Sequence, residues 1–267
     1  MKFTDFFGIT PGPGDDWFDP ILTADTRLFV DPFAIYSDAD ERWETAHAHL
    51  IEFFNLVLGL VAQAGLRSNS PHWKAAQRLL KFPEPAEFCL GYGETPLGSG
   101  TGSGFGGDML QAAVIAIREG VTEVSHFEEL ALFSQGIGAD RISDIVCNVL
   151  KSYFIDYTRE VAERHGVDVQ DVPVRHADWS AEFTRWEDEQ LPLPVNPWTE
   201  KGVLLVPARF LRPLPTVLPR GVLGLVLGVP RGKKFAGSST TTLRRTSTER
   251  RSPIRYQHRR KSLELLA

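Results

Sequence analysis

Three aspartates carry the strongest chemical signal in the chain. Asp140 and Asp144 lie in the phrase Gly136-Ile137-Gly138-Ala139-Asp140-Arg141-Ile142-Ser143-Asp144, a glycine-flanked turn that opens a helical pattern. Carboxylates four residues apart share a helix face and can share a divalent cation, and Asn148 and Lys151 continue the same stripe. A lysine beside such a site can steady a phosphate or a leaving group. The pattern therefore suits metal-dependent hydrolysis of phosphodiester bonds with Mg²⁺ or Mn²⁺. Asp31 ends the expected strand Thr26 to Val30, where a strand end holds a carboxylate rigidly, and it is the third candidate ligand. His176, in Arg175-His176-Ala177-Asp178-Trp179, puts a titratable ring in a loop and joins Lys151 as a candidate for catalytic assistance.

Each of these residues has a structural reading as well. Asp140 is a natural helix cap, and Asp144 can pair with Arg141 on a solvated face. Asp31-Pro32 repeats the phrase Asp19-Pro20, and an Asp before Pro leaves the helical region and starts a turn. Gly102, Gly104 and Gly107 match the dinucleotide pattern once, before a helix, but a stretch with so many glycines makes the match nearly inevitable and equally suits a flexible lid or linker. No Lys-Ser/Thr pair follows, which excludes a P-loop, and the histidines lack the spacing of a zinc site. Cys147 falls in an apolar helical pattern, and no serine nucleophile elbow occurs, so nucleophilic catalysis has no support.

The elements that must position these groups are mostly helical. A helix is expected from Asp38 or Asp40 to about Ala64, apolar nearly all round in its second half and hence buried on several sides. Further helices are expected over Trp73 to Leu80, Met109 to Arg118, Phe127 to Phe133 and, with the clearest periodicity, Asp140 to Arg164. Short strands are expected at Thr26 to Val30, Glu87 to Leu90 and Gly202 to Pro207. Together they make a helix-dominated, mixed α+β fold with central buried helices, a small sheet and a loop-rich C-terminal part.

Bulk properties frame that fold. The chain has 267 residues, 42% of them hydrophobic and 24% charged, which is ordinary globular composition. Residues 220–267 hold 12 basic and 2 acidic residues, leaving 17 basic and 32 acidic in residues 1–219. A single globular domain over 1–219 and a basic, low-order tail follow. So acidic a body repels a nucleic-acid backbone unless metal ions or local basic patches intervene. Nucleic acid is therefore a partner only under the hydrolase reading. The start of the chain lacks the basic-then-apolar order of a secretory signal, and Glu52, Asn55 and Gln63 interrupt the stretch Leu50 to Leu66. Cytoplasmic placement with no membrane span is the expectation.

The tail invites a second explanation. With suitable codons, a one-base shift of Val222 to Val229 reads Phe-Trp-Asp-Trp-Cys-Trp-Glu-Tyr, a composition closer to that of the body. An out-of-frame tail, with the body incomplete at its C-terminal end, is one expectation, and a disordered basic arm is the other. For the whole chain, the hydrolase reading stands against a non-catalytic interaction protein. In that alternative the acidic caps are structural and an aromatic-rich face around Trp179, Trp186 and Trp198 meets a partner.

Overall fold

The computed structural model describes residues 1–65, 67–92, 105–125 and 138–214, all within the unit Met1–Thr216. The expected helix Phe127 to Phe133, the glycines from 98 to 104 and the basic tail lie outside the described residues. Within them, seven helices and two small antiparallel sheets form a helix-dominated α+β fold.

The centre is helix α3 (Glu41–Ala64), which follows the short helices α1 (Phe3–Phe7) and α2 (Pro32–Tyr36). Asp40 starts α3 by accepting a hydrogen bond from the Arg42 amide, and Gly65 ends it at φ +55°. Its buried side chains, among them Trp43, Phe53, Phe54 and Val61, face helices on several sides, as the apolar periphery of its second half requires. Its length and composition would also suit a membrane crossing, a weaker limit than the interrupted stretch Leu50 to Leu66 implied. Asn55, one of those interruptions, trades two hydrogen bonds with the backbone of Val124 and so ties α3 to the segment after α5.

Helices α4 (Pro71–Leu79) and α5 (Phe105–Arg118) pack on α3. The run read as one helix from Asp140 to Arg164 is two: α6 (Ala139–Val149) and α7 (Lys151–His165), joined at Leu150. One cause is visible in the last turn of α6. The Asn148 side-chain amide donates to the Asp144 carbonyl at 2.8 Å, competing with the helix's own ladder.

Strand β1 (Leu28–Val30) pairs antiparallel with β4 (Leu211–Pro213), and β2 (Gln170–Ser180) pairs with β3 (Arg185–Leu193) as a hairpin. The register of that hairpin slips between Val174 and Asp178, and the bulge carries Arg175 and His176. Two expected strands take other forms. Glu87 to Leu90 is mostly a 3-10 turn (Ala86–Phe88), after which Leu90 bridges Thr26. Val203 to Val206 is extended and buried, but its amides find scattered acceptors, including the Glu87 carbonyl and the Thr158 hydroxyl, rather than a ladder. Burial of four apolar side chains outweighs sheet pairing there, because helix-borne oxygens satisfy the backbone.

Candidate functional site

Four carboxylates gather where β1, the Pro83-Glu84-Pro85 turn and α6 meet. Gly91 marks the place. An added Cβ on Gly91 would lie 3.7 Å from an Asp140 oxygen, 3.8 Å from a Glu84 oxygen and 3.9 Å from an Asp25 oxygen. Those three oxygens are thus less than about 8 Å apart, within reach of a common cation after small rotations. Gly91 stays glycine because its φ is +131°. Its amide donates to the Thr26 carbonyl at 2.9 Å, which fixes Asp25 one residue away.

Asp144 is the fourth member, one helical turn beyond Asp140. It is 9% exposed, and among the described residues no hydrogen bond or ion pair engages its carboxylate. Burial, with Glu84, Asp140 and Asp25 as like-charged neighbours, pushes its pKa up to about 8, against the pull of Arg141. Glu84 is raised by burial and then by Asp140 and Asp25, and Asp140 is raised by burial. Asn148 fixes Glu84 relative to the helix. While its side-chain amide holds the Asp144 carbonyl, it also donates to the Pro83 carbonyl at 2.8 Å. Its own Oδ1 is buried without a partner among the described residues.

A cleft of about 880 Å³ opens beside Asp144. Its lining includes Lys74 and Arg78, one turn apart on α4, and Lys81 just past the end of that helix. Arg141 and Arg175 line it as well, and Gly106 and Gly107 enter from the start of α5. Arg141 lies 3.9 Å from Asp108, whereas Lys74, Arg78, Lys81 and Arg175 have no ion-pair partner among the described residues. Cations left unpaired around one concavity make a local positive field in a body of opposite net sign. Gly106 is required by packing, since a Cβ there would stand 2.7 Å from the Leu80 carbonyl oxygen.

His176 completes the cleft wall. Its ring stacks on Trp186 with centroids 4.4 Å apart and planes within 4°. Trp186 is anchored in turn by donating its indole N–H to the Leu79 carbonyl. The His176 backbone has φ +52°, and its amide donates to Asp188 at 2.9 Å, so a bulge rather than a loose loop presents the ring. Burial, then the nearby Lys151 charge, lowers its pKa to about 4. The ring is neutral at pH 7.

The remaining candidates have partners of their own. Asp31 caps α2 by accepting from the Phe33 amide and lies 3.5 Å from Arg212, while Asp25 and Glu84 are the acids that join Asp140 and Asp144. Lys151 is 1% exposed, and its ammonium donates to the Arg175 carbonyl at 2.9 Å. That bond supports the β2–β3 bulge. Of the three tryptophans, Trp179 and Trp186 are cross-strand partners that both meet Phe53, with Trp179 buried and Trp186 stacked on His176, whereas Trp198 is exposed near Phe6.

Residues 8–218 match the family described as a domain of unknown function, DUF8370. The chain belongs to this family. No curated protein and no solved structure matches it. The DUF8370 match contains all four carboxylates, the cationic walls and the His176–Trp186 stack.

Proposed function

We propose that this DUF8370 chain is a divalent-metal-dependent phosphodiester hydrolase. The supporting observation is the adjacency of two opposite features: Asp144, buried at the cleft with Glu84, Asp140 and Asp25 as like-charged neighbours, and Lys74, Arg78, Lys81 and Arg175 in the same cleft lining, without an ion-pair partner among the described residues. Hard oxygen donors of this kind suit Mg²⁺ or Mn²⁺. Among the described residues no three acidic, His or Cys side chains already stand at coordinating distance of one point, so binding requires Asp25, Glu84, Asp140 and Asp144 to close by side-chain rotation. A bound ion supplies Lewis-acid polarisation of the phosphate and a more acidic water.

The protein's own residues do the rest. Lys74, Arg78, Lys81 and Arg175 hold phosphate oxygens, and Arg141 spans the acidic floor and the anion. Asn148 keeps the Glu84 turn against α6, and Lys151 keeps Arg175 in place; both are positioning residues. His176, neutral at working pH, offers a ring rather than a charge.

The test is cleavage of mixed DNA and RNA substrates in Mg²⁺ or Mn²⁺, with EDTA as control. Wild type cleaves, and Asp144→Asn loses on the order of a hundred-fold or more in rate. Equal rates in the two proteins end this reading.

A further inference from the structure

We infer that the cleft takes single-stranded nucleic acid, with one unpaired base laid on the exposed side of the His176 ring. The inference rests on the hydrolase reading for the identity of the cleft, but its evidence is the shape and lining of the wall. A cleft of about 880 Å³ is the size of pockets that enclose small ligands, roughly 300–1,000 Å³. It admits a nucleotide or two of an unpaired strand. A duplex keeps its bases stacked on one another and offers such a pocket only backbone.

The His176 ring provides what an unpaired base needs. It lines the cleft, is half-buried, and is backed by the indole of Trp186 in parallel contact. The stack is held from three sides: by Asp188 on the His176 amide, by Lys151 on the Arg175 carbonyl, and by the Leu79 carbonyl on the Trp186 indole. A planar ring so fixed is a ready platform, because every base has a π-face and stacking pays little ordering cost on a rigid shelf. Arg175, adjacent in sequence, and Lys74, Arg78 and Lys81 line the same cleft and supply phosphate-binding charge beside the ring. Cationic side chains beside a flat ring are the combination by which proteins hold an unpaired strand.

The experiment measures binding of the full chain to a short fluorescein-labelled single strand, as DNA and as RNA, and to a duplex of the same length, by fluorescence anisotropy. Ca²⁺ replaces Mg²⁺ to suppress turnover. The single strand binds at least about ten-fold tighter than the duplex, His176→Ala loses roughly ten-fold on the single strand, and His176→Phe retains most of the affinity. Duplex binding as tight as single-strand binding, or no nucleic-acid binding, overturns the inference. So does a His176→Ala variant that binds like wild type. Failure of the hydrolase reading looks different: the His176-dependent preference persists, but no substrate is cleaved in Mg²⁺ or Mn²⁺.

Discussion

Two acidic clusters in this chain are built from the same side chains and have opposite electrostatics. Near the N-terminal arm, Asp15 accepts from the Gly12 amide, His165 and Arg164, and Arg209 bridges Asp16 and Asp38. The Gly12 amide and then the His165 hydrogen bond lower Asp15 to about 2, and Arg209 lowers Asp38. Beside the cleft, Asp25, Glu84 and Asp140 crowd near Asp144, with Arg141 the cation acting on Asp140 and Asp144. Acids that have partners fasten the arm, α7 and the 3-10 turn after Pro207 together. Acids crowded against like charges cost stability, and such a cost persists where a ligand repays it.

The sharpest way to break this contrast is to neutralise one acid on each side. Asp144→Asn abolishes metal-dependent cleavage by a hundred-fold or more while raising the melting temperature of the metal-free protein. Asp15→Asn does the reverse, lowering the melting temperature by a few degrees and leaving cleavage unchanged. Calorimetry and a cleavage assay on the two variants suffice, and a melting temperature that falls in Asp144→Asn contradicts the contrast.

The pH dependence of stability separates the clusters next. The folded-state pKa of Asp144, about 8, lies above its ordinary value of 3.8, so between these values the folded state holds a proton that the unfolded state has lost. Its contribution is fully present below pH 4 and is lost as pH rises toward 8, at up to about 1.4 kcal/mol per unit. Asp15 behaves oppositely, contributing above its ordinary value and losing that contribution as pH falls toward 2. Metal-free unfolding of wild type against Asp144→Asn therefore converges at low pH and diverges toward pH 8. Parallel curves rule out the buried, uncompensated carboxylate.

Smaller effects belong to the positioning residues. Lys151→Met leaves the Arg175 carbonyl without its buried donor, destabilises the chain by about 1–3 kcal/mol and raises KM more than it lowers kcat. The smallest effect is expected for Arg209→Ala. Its guanidinium is 39% exposed, and such pairs contribute about 0–1 kcal/mol. A loss of cleavage in Arg209→Ala would blur the division between the clusters.

What the sequence revealed follows the same division between local and distant contacts. The central helix, its Asp40 cap and the Asp140–Asp144 pair are written in spacings of three and four residues, and those are read directly. Asp25 and Glu84 reach the same place only because Thr26 bridges Leu90 and Asn148 grips Pro83, contacts that span tens of residues and leave no periodic trace. Glu84, lying between two prolines, was the one local hint of a rigidly held acid. Lys151 shared a helical stripe with Asp144 on paper, and in the fold its ammonium donates to the Arg175 carbonyl. Asp31 had a good strand-end position, but its neighbours Phe33 and Arg212 use its carboxylate. The spacing of Lys74 and Arg78 on α4 carried no sign of a site, because the cleft they share with Arg175 and His176 forms only in the fold.

Calorimetric titration of Mn²⁺ into the metal-free chain at pH 7, in buffers of different ionisation enthalpy, addresses the carboxylate floor itself. Binding should release close to one proton per ion, because Asp144 must give up the proton it holds below about pH 8, and Asp144→Asn should weaken binding by ten-fold or more and release none. No Mn²⁺ binding by wild type, or equal binding and equal proton release in the variant, would contradict the account.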